Sequence, residues 1–314
     1  LGMDDVLFKE VASTIDCIIH CGADVNLIKP YSVLKQSNVY GTQEILRLAT
    51  TNGLITTKVK PVHYISTNGV FPIDRKAYFA EDDQTSSSSS SIVVEEEHES
   101  VKQMANKHLK EGYARSKFVA ETMCHIARTE RGSPVSIMRP GNMAGSSTTG
   151  RQNLSDFVYL FLASCIELKM APTNCAYSFD LTPVDFAAKV VTHAVVTNPS
   201  SVMGRTIHLQ NPNKPVTIMF VVEKLRAIGH TLVDVERKEF LDHLEMRCDA
   251  ERKEGIRTSV LLQLESGYTA FETYFKASTW MTYGTAVMEE VLTGSNITCP
   301  IVEENLLRKW FPLT

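Results

Sequence analysis

A tyrosine and a lysine four residues apart, Tyr113 and Lys117, stand in the stretch EGYARSKFVAE. Good helix formers with spaced apolar side chains follow Gly112, so a helix is predicted to begin here. Residues at i and i+4 share one helix face, which brings the two side chains together. An ammonium group near a phenol favours the phenolate, and such a pair can deliver a proton. The same spacing also occurs on ordinary helix faces, so the rest of the chain has to decide between these interpretations.

Apolar stretches that alternate with helix-like stretches predict the elements around this pair. Strands are predicted within residues 15–25, 61–71 and 134–145, and helices over 4–14, over 38–50 and from Tyr113 onward. Continuous apolar runs are typical of buried parallel strands. The alternation indicates an α/β fold, a Rossmann-like doubly wound parallel sheet with helices on both faces.

Two domains are predicted. The first covers residues 1–145 and contains, at about 80–99, a loop or disordered insertion, because its serine run and the glutamates at 95–97 cannot bury a core. The second, residues 146–314, is predicted to be a smaller, mostly helical substrate lobe. Its predicted helices cover 154–170, 183–196, 216–228, 238–254, 258–276 and a short segment after Cys299. Its strand at 206–210 is predicted to return to the main sheet.

Composition limits the possible partners and the compartment. The 314 residues carry a net charge of −4, which argues against nucleic acid or an anionic membrane surface as a partner. Seven cysteines without a C-x-x-C pair favour a reduced, cytoplasmic location. No apolar run is long enough to span a bilayer, and no spacing of ligand residues predicts a metal site.

Polar residues are concentrated where the predicted strands end, which is where open α/β sheets bind ligands. One strand ends at Ser66-Thr67, another ends at Pro140-Gly141, and the Tyr113 helix lies between them in sequence. A strand-end hydroxyl, a phenol and an ammonium group can polarise a carbonyl and protonate the alkoxide that hydride addition forms.

These motifs resemble the extended short-chain dehydrogenase/reductase superfamily. Thr67 matches its catalytic Ser/Thr better than Ser66 by its spacing to the following turn, and Tyr113 and Lys117 match its YxxxK motif. Further segments narrow the resemblance to thioester reductase (R) domains, the terminating domains of nonribosomal peptide and polyketide synthetases, carboxylic acid reductases and aminoadipate reductase. These segments include IIHCGADVNLIKPYSVLKQSNVYGTQEILRLA, RPGNMAGSSTTGRQNLSDF, LTPVDFAAKVV and CPIVEENLLRKW.

The resemblance implies NADPH-dependent release of an acyl group that a phosphopantetheine-bearing carrier domain holds as a thioester, giving an aldehyde or an alcohol. It implies catalytic roles for Thr67, Tyr113 and Lys117, with Asn38 supporting the proton chain. The implied cofactor-binding residues are His20, Gly22, Ala23, Ser66, Thr67, Tyr113, Lys117, Pro140, Gly141, Asn142 and Met143. The implied substrate contacts, including those of the pantetheine arm, are Asn68, Gly69, Gly145, Thr149, Gly150 and Asn153.

The chain departs from the family pattern in one respect. It has no glycine-rich loop of the kind that binds a dinucleotide pyrophosphate, and we expect the natural protein to continue upstream of Leu1. Two alternatives remain open at this point. One is a different extended short-chain enzyme, such as a fatty acyl-CoA reductase or a nucleotide-sugar epimerase. The other is a catalytically inactive remnant that acts as an interaction module.

Overall fold

The computed structural model describes residues 1–51, 59–71, 92–94, 96, 109, 111–173, 175, 177–276 and 281–313. The chain divides into two compact units, each built from separate stretches of sequence. The first unit comprises Leu1–Gly141, Val190–Leu209 and Met281–Asn296. The second comprises Asn142–Lys189, Gln210–Trp280 and Ile297–Thr314. The predicted single boundary after residue 145 therefore differs from this division, because two later stretches belong to the first unit.

The secondary structure elements are numbered here in chain order. The strands are β1 (Ile18–His20), β2 (Val62–Ile65), β3 (Ile92–Val94), β4 (Val135–Pro140), β5 (Met143–Ala144), β6 (Met170–Pro172), β7 (Ser178–Phe179), β8 (Thr182–Pro183), β9 (Thr206–Leu209), β10 (Val216–Thr217), β11 (Val233–Val235) and β12 (Met281–Tyr283). The helices are α1 (Asp5–Thr14), α2 (Tyr31–Lys35), α3 (Gly41–Thr50), α4 (Gly112–Thr129), α5 (Phe157–Leu168), α6 (Val184–Thr192), α7 (Ile218–Ala227), α8 (Arg237–Lys253), α9 (Val260–Lys276), α10 (Ala286–Val291) and α11 (Glu304–Trp310).

A four-stranded parallel sheet in the order β1-β2-β4-β9 forms the centre of the first unit. Val62 of β2 is paired with Ile18 on one side and Val135 on the other, and β9 is paired with β4. Side chains from α1, α3 and α4 pack on the sheet in one apolar cluster that includes Phe8, Leu48 and Tyr64. This confirms the predicted Rossmann-like α/β fold with a parallel sheet.

The helix predicted to begin at Asn38 begins earlier. Helix α2 starts after Pro30, and a π-helical turn at Gln36–Tyr40 connects it without a break to α3. The Ser-Asn pair ahead of Gly41 has the sequence of a helix start, but the Asn38 amide is used for contacts with distant segments. Asn38 therefore lies inside a helical run, where it is 1% exposed.

The prediction of a solvated segment at 80–99 is wrong at its described residues. Strand β3 pairs in parallel with β12, and Glu96 is only 2% exposed. Its carboxylate accepts hydrogen bonds from the backbone N–H groups of His208 (3.0 Å), Met288 (3.1 Å) and Val287. A buried carboxylate is tolerated when donors satisfy it, and these donors come from distant parts of the sequence. The serine run lies outside the described residues.

The second unit contains the helices α5, α7, α8, α9 and α11, with short two-stranded pairs β5-β8, β6-β11 and β7-β10. The observed helices begin and end within a few residues of the predicted ones. Within the described parts of both units, no helix is long and apolar enough to cross a membrane. The same residues contain no group of three or more His, Cys, Asp or Glu side chains arranged to hold a metal ion.

Candidate active site

The helix that carries Tyr113 and Lys117 is packed against the end of strand β2. Beyond β2, the turn Asn68–Val70 contacts α4, and Val70 and Phe71 share an apolar cluster with Ala114 and Phe118 of that helix. At the first residue of α4, Gly112 lies against the backbone of Lys29 and Tyr31 so closely that a Cβ would overlap it. These contacts fix the position of Tyr113 relative to the strand-end hydroxyls.

The two adjacent hydroxyls at the end of β2 differ in their partners. The Ser66 hydroxyl is buried and donates to the carboxylate of Glu121. The Thr67 hydroxyl accepts a hydrogen bond of 3.1 Å from the N–H of Gly69 and caps the turn that follows. The Ser66 hydroxyl is thus used in a buried contact with Glu121, whereas the Thr67 hydroxyl accepts from the backbone and keeps its own proton to donate.

Lys117 is 2% exposed and reaches the end of β2. Its Nζ donates to the carbonyl of Ile65 at 2.7 Å and lies 4.2 Å from the centre of the Tyr64 ring. Burial lowers the pKa of Lys117 to about 8, and the nearby Glu121 carboxylate opposes this shift. The ammonium is therefore the main form at neutral pH and is lost in mildly alkaline solution.

Tyr113 is half-buried at the first turn of α4. Burial raises its pKa to about 12. The expectation that the Lys117 ammonium lowers this pKa is not met in this structure, because burial dominates. A phenol that stays protonated at neutral pH is suited to act as a proton donor.

Asn38 connects the Tyr113 helix to the loop after β1. Its Nδ2 donates to the Ser116 hydroxyl at 2.8 Å and to the Asp24 carbonyl at 3.1 Å, while its Oδ1 accepts from the Asp24 N–H at 2.8 Å. The Ser116 hydroxyl in turn donates to the carbonyl of Tyr113 at 2.8 Å. The Asn38 side chain thus fixes two segments of the site to each other.

A buried ion pair between Glu121 and Arg139 lies beside these residues and was not predicted from the sequence. Arg139 Nη2 is 2.6 Å from Glu121 Oε1, and both side chains are at most 3% exposed. Glu121 follows Lys117 by one helical turn, and Arg139 precedes Pro140 at the end of β4. The i, i+4 spacing of Lys117 and Glu121 places both on one helix face and was a signal for the position of Glu121, but not for its pairing with Arg139.

The other predicted cofactor residues of the first unit lie at the ends of β1 and β4. The His20 ring is 3.0 Å from the Thr42 hydroxyl, and burial lowers its pKa to about 4, so the ring is neutral at pH 7. Gly22 and Ala23 follow β1 directly. Pro140 ends β4, and the Gly141 N–H donates to Leu209 at 3.3 Å.

The remaining predicted residues belong to the second unit. The Asn142 N–H donates to the half-buried Asp180 at 2.8 Å, and Met143 pairs with Thr182. Gly145 lies against Trp310, and Gly150, with a positive φ of 72°, lies against the backbone of Lys309. Thr149 and Asn153 are exposed. The sequence analysis gave substrate contacts for this region but not the packing of Gly145 and Gly150 against Trp310 and Lys309 of α11.

Comparisons with known proteins identify the family. A model of NAD-binding domains described as male sterility protein matches residues 1–191. Glycine betaine reductase ATRR of Emericella nidulans is 33% identical over 73% of this chain and 16% of its own length. A linear gramicidin synthase polypeptide of Brevibacillus parabrevis is 31% identical over 98% of this chain and 6% of its own length.

A solved structure matches nearly the whole chain. The terminal R domain from the myxalamid PKS-NRPS biosynthetic pathway aligns with a TM-score of 0.77 and 30% identity, over 99% of this chain and 70% of that one. The chain spans less than a quarter of each of the two curated relatives. It belongs to the male sterility protein family of NAD-binding domains, as an oxidoreductase domain of the thioester reductase (R) type within the extended short-chain dehydrogenase/reductase superfamily.

Proposed function

We propose that this chain catalyses the NADPH-dependent reductive release of an acyl or peptidyl group from a phosphopantetheine-bearing carrier domain. The observation that carries the proposal is the grouping of Thr67, Tyr113 and Lys117 where β2 meets α4. It is supported by the similarity to a linear gramicidin synthase and to a terminal R domain. A carrier partner and the choice of NADPH over NADH are parts of this proposal.

The residues of the first unit fit the nicotinamide ribose half of the cofactor. The Lys117 ammonium has three N–H donors and gives one to Ile65, which leaves donors for ribose hydroxyls. Gly22 at the end of β1 and Gly141 after β4 carry no side chain that would exclude a flat ring. The bound cofactor would supply the hydride.

The protein's own groups would do the rest of the chemistry. The Thr67 and Tyr113 hydroxyls donate to the thioester carbonyl oxygen, where negative charge develops. Tyr113 gives up its proton to that oxygen, and the Lys117 ammonium stabilises the phenolate that remains. Collapse of the hemithioacetal gives the aldehyde and the free carrier thiol.

Cofactor binding and turnover test this proposal separately. NADPH binding is measured by cofactor fluorescence for this chain and for the chain with any residues that precede Leu1 in the natural protein. Turnover is measured as NADPH oxidation with acyl-carrier-protein and acyl-CoA substrates. We expect binding, and faster turnover of the carrier-bound thioester. Failure of every version to bind NADPH would contradict the proposal and favour an interaction module, whereas preference for acyl-CoA would favour an acyl-CoA reductase.

The first variant to test is Tyr113→Phe. Loss of the proton donor is expected to lower kcat by a factor of about 10² to 10⁴. NADPH affinity should change little, since the ring is retained. Tyr40→Phe, at an exposed tyrosine of the π-helical turn, is the matched control and should retain full activity. Unchanged turnover in Tyr113→Phe would exclude this tyrosine as the acid.

A further inference from the structure

The second unit contains a pocket of about 130 Å³. Its apolar wall consists of Val158, Leu162, Leu181, Val184, Trp310 and Phe311. Trp310 is held by two contacts, since its ring packs against Gly145 and its Nε1 donates to the Ser146 carbonyl at 3.2 Å. Trp310 therefore has a fixed position in this wall.

Most polar side chains around the pocket are already used in contacts with the backbone. The Asp156 carboxylate caps α5 by accepting from the N–H groups of Val158 (2.9 Å) and Tyr159 (3.3 Å). The Gln152 amide donates to the Trp310 carbonyl, and the Asn153 oxygen accepts from the Ser155 N–H at 3.1 Å. Burial raises the pKa of Asp156, so its surroundings disfavour charge.

The charge and ring arrangement argue against a cationic ligand. The side chain of Arg151, which is exposed, contributes a positive charge to the lining. Tyr159 and Phe311 form an offset stack on each other, with an interplanar angle of 9° and a centroid distance of 5.9 Å, so one face of each ring is partly occupied by the other ring. An aromatic cage for a cation needs open ring faces. The pocket is thus suited to an uncharged apolar group.

The pocket also begins close in sequence to the end of a sheet strand. Its wall starts at Met143, two residues after Gly141, which follows β4. In α/β folds, ligands bind beyond the carboxyl ends of the strands. Two peptide units separate Met143 from Gly141, so the two Cα atoms are at most about 8 Å apart.

We propose that this pocket binds the acyl group of the thioester and selects compact, uncharged, apolar groups of about the size of a benzene ring. An apolar cavity of about 150 Å³ is large enough to bind benzene. The lining includes Gly145 and Asn153, for which the resemblance implies substrate contacts, but the apolar wall matches an acyl group better than the amide-rich pantetheine arm. This inference rests on the function proposed above, because it names the substrate class of that reaction.

Two probes of the same shape test the charge preference. They are the N-acetylcysteamine thioesters of 3,3-dimethylbutanoic acid and of trimethylammonioacetic acid, which differ in one carbon that is replaced by a charged nitrogen. Binding is followed without cofactor by the fluorescence of Trp310. The chain has two tryptophans, so a Trp280→Phe background makes Trp310 the only reporter. We expect a saturable change with the neutral probe and at least tenfold weaker binding of the charged one.

A variant that fills the pocket tests its location. Val184 lines the pocket but is 45% exposed, so Val184→Phe can narrow the pocket without disturbing the core. It should weaken binding of the neutral probe at least tenfold. Val233→Phe is the matched control, because Val233 is 58% exposed in the same unit and is not part of the lining. The control should bind as the parent protein does.

The possible results separate this inference from the proposed function. Equal or tighter binding of the charged probe, no binding of either probe, or an unchanged affinity in Val184→Phe would overturn the inference. If carrier-bound thioesters are still reduced in that case, the proposed function stands alone. If the neutral probe binds as expected but no thioester is reduced, the pocket exists and the proposed function fails.

Discussion

At the residue scale, burial acts on Tyr113 and Lys117 in opposite ways. It raises the pKa of the phenol to about 12 and lowers the pKa of the ammonium to about 8. Burial favours the neutral form of an ionisable group. For tyrosine the neutral form is the protonated phenol, and for lysine it is the deprotonated amine. Of these two residues, only Lys117 therefore titrates close to physiological pH, and under the proposed function it would set the alkaline limit of activity.

This leads to a prediction for the pH dependence of the reaction. Because Lys117 must be protonated to stabilise the Tyr113 phenolate, kcat/KM should fall as pH rises through about 8, by up to tenfold per pH unit. The measurement is kcat/KM for a small thioester between pH 6 and 10, since this parameter reports on the free enzyme. Lys117→Arg retains its charge throughout, so its residual activity should show no decline near pH 8. A flat profile for the natural protein up to pH 9.5 would contradict the assignment.

The Glu121 carboxylate acts on Ser66 through a hydrogen bond and on Lys117 through its charge, and these two effects can be separated by mutation. Its carboxylate accepts from Ser66, the residue before Thr67, and its charge opposes the loss of the Lys117 proton. Glu121→Gln removes the charge, so we expect the alkaline limb of kcat/KM to move to lower pH. The change also leaves Arg139 buried without its ion-pair partner, which should destabilise the protein by about 3 kcal/mol. Activity profiles and thermal melting measure the two effects.

Ser66→Ala is the control that separates the effect of the hydrogen bond at the end of β2 from the effect of the Glu121 charge. It removes the hydrogen bond to Glu121 but keeps the Glu121–Arg139 ion pair. The alkaline limb should therefore stay near pH 8, while kcat falls because the end of β2 is less well held. If the alkaline limb of kcat/KM moves to the same extent in Glu121→Gln and in Ser66→Ala, the Glu121 charge does not act on Lys117.

At the element scale, the start of α4 depends on a close backbone approach. A Cβ at Gly112 would lie 2.5 Å from the N atom of Tyr31 and 2.7 Å from the carbonyl carbon of Pro30. Real Cβ atoms do not approach backbone atoms so closely, so any side chain here forces α4 and the start of α2 apart. Tyr113 is the next residue and would move with the helix.

We therefore expect Gly112→Ala to lower both stability and turnover. The overlap involves backbone atoms, which cannot rotate away, so the cost should exceed about 1 kcal/mol of unfolding free energy, as for other overpacked sites. Gly41→Ala is the matched control, because Gly41 is also helical and a Cβ added there would meet no atom within 4 Å. It should stabilise the protein by up to about 1 kcal/mol through helix propensity. Chemical denaturation measures the stability of the two variants, and kcat measures their turnover. Equal effects of Gly112→Ala and Gly41→Ala would show that the backbone contact at Gly112 does not position α4.

The same elements show what the sequence could predict. The parallel strands and the Tyr113 helix were predicted because their apolar patterns are local and strong. The predicted helix start at Asn38 was wrong. An Asn at this point has the local sequence signal of a helix N-cap, but the Asn38 amide is used in contacts with Asp24 and Ser116. Likewise the Glu121–Arg139 pair joins residues 18 positions apart on different elements, and local patterns do not report such pairs.

At the scale of the whole molecule, the first unit is assembled from three separate stretches of the chain. Glu96 joins all three, because its residue lies in the first stretch and its carboxylate binds backbone N–H groups in the second and third. One of these, His208, lies on the edge strand β9, and Met288 lies on α10. A single buried carboxylate thus holds together segments that the sequence separates by more than 100 residues.

Glu96→Ala should consequently loosen this part of the first unit. It leaves the N–H groups of His208, Val287 and Met288 buried without acceptors, at about 1–3 kcal/mol for each group. Hydrogen–deuterium exchange should become faster at these three amides, while amides of α5 in the second unit should exchange as before. Glu290→Ala is the control, since Glu290 lies on α10 with Val287 and Met288 and its exposed ion pair with Arg205 contributes little. If exchange at the three amides is unchanged in Glu96→Ala, Glu96 does not hold the three stretches together.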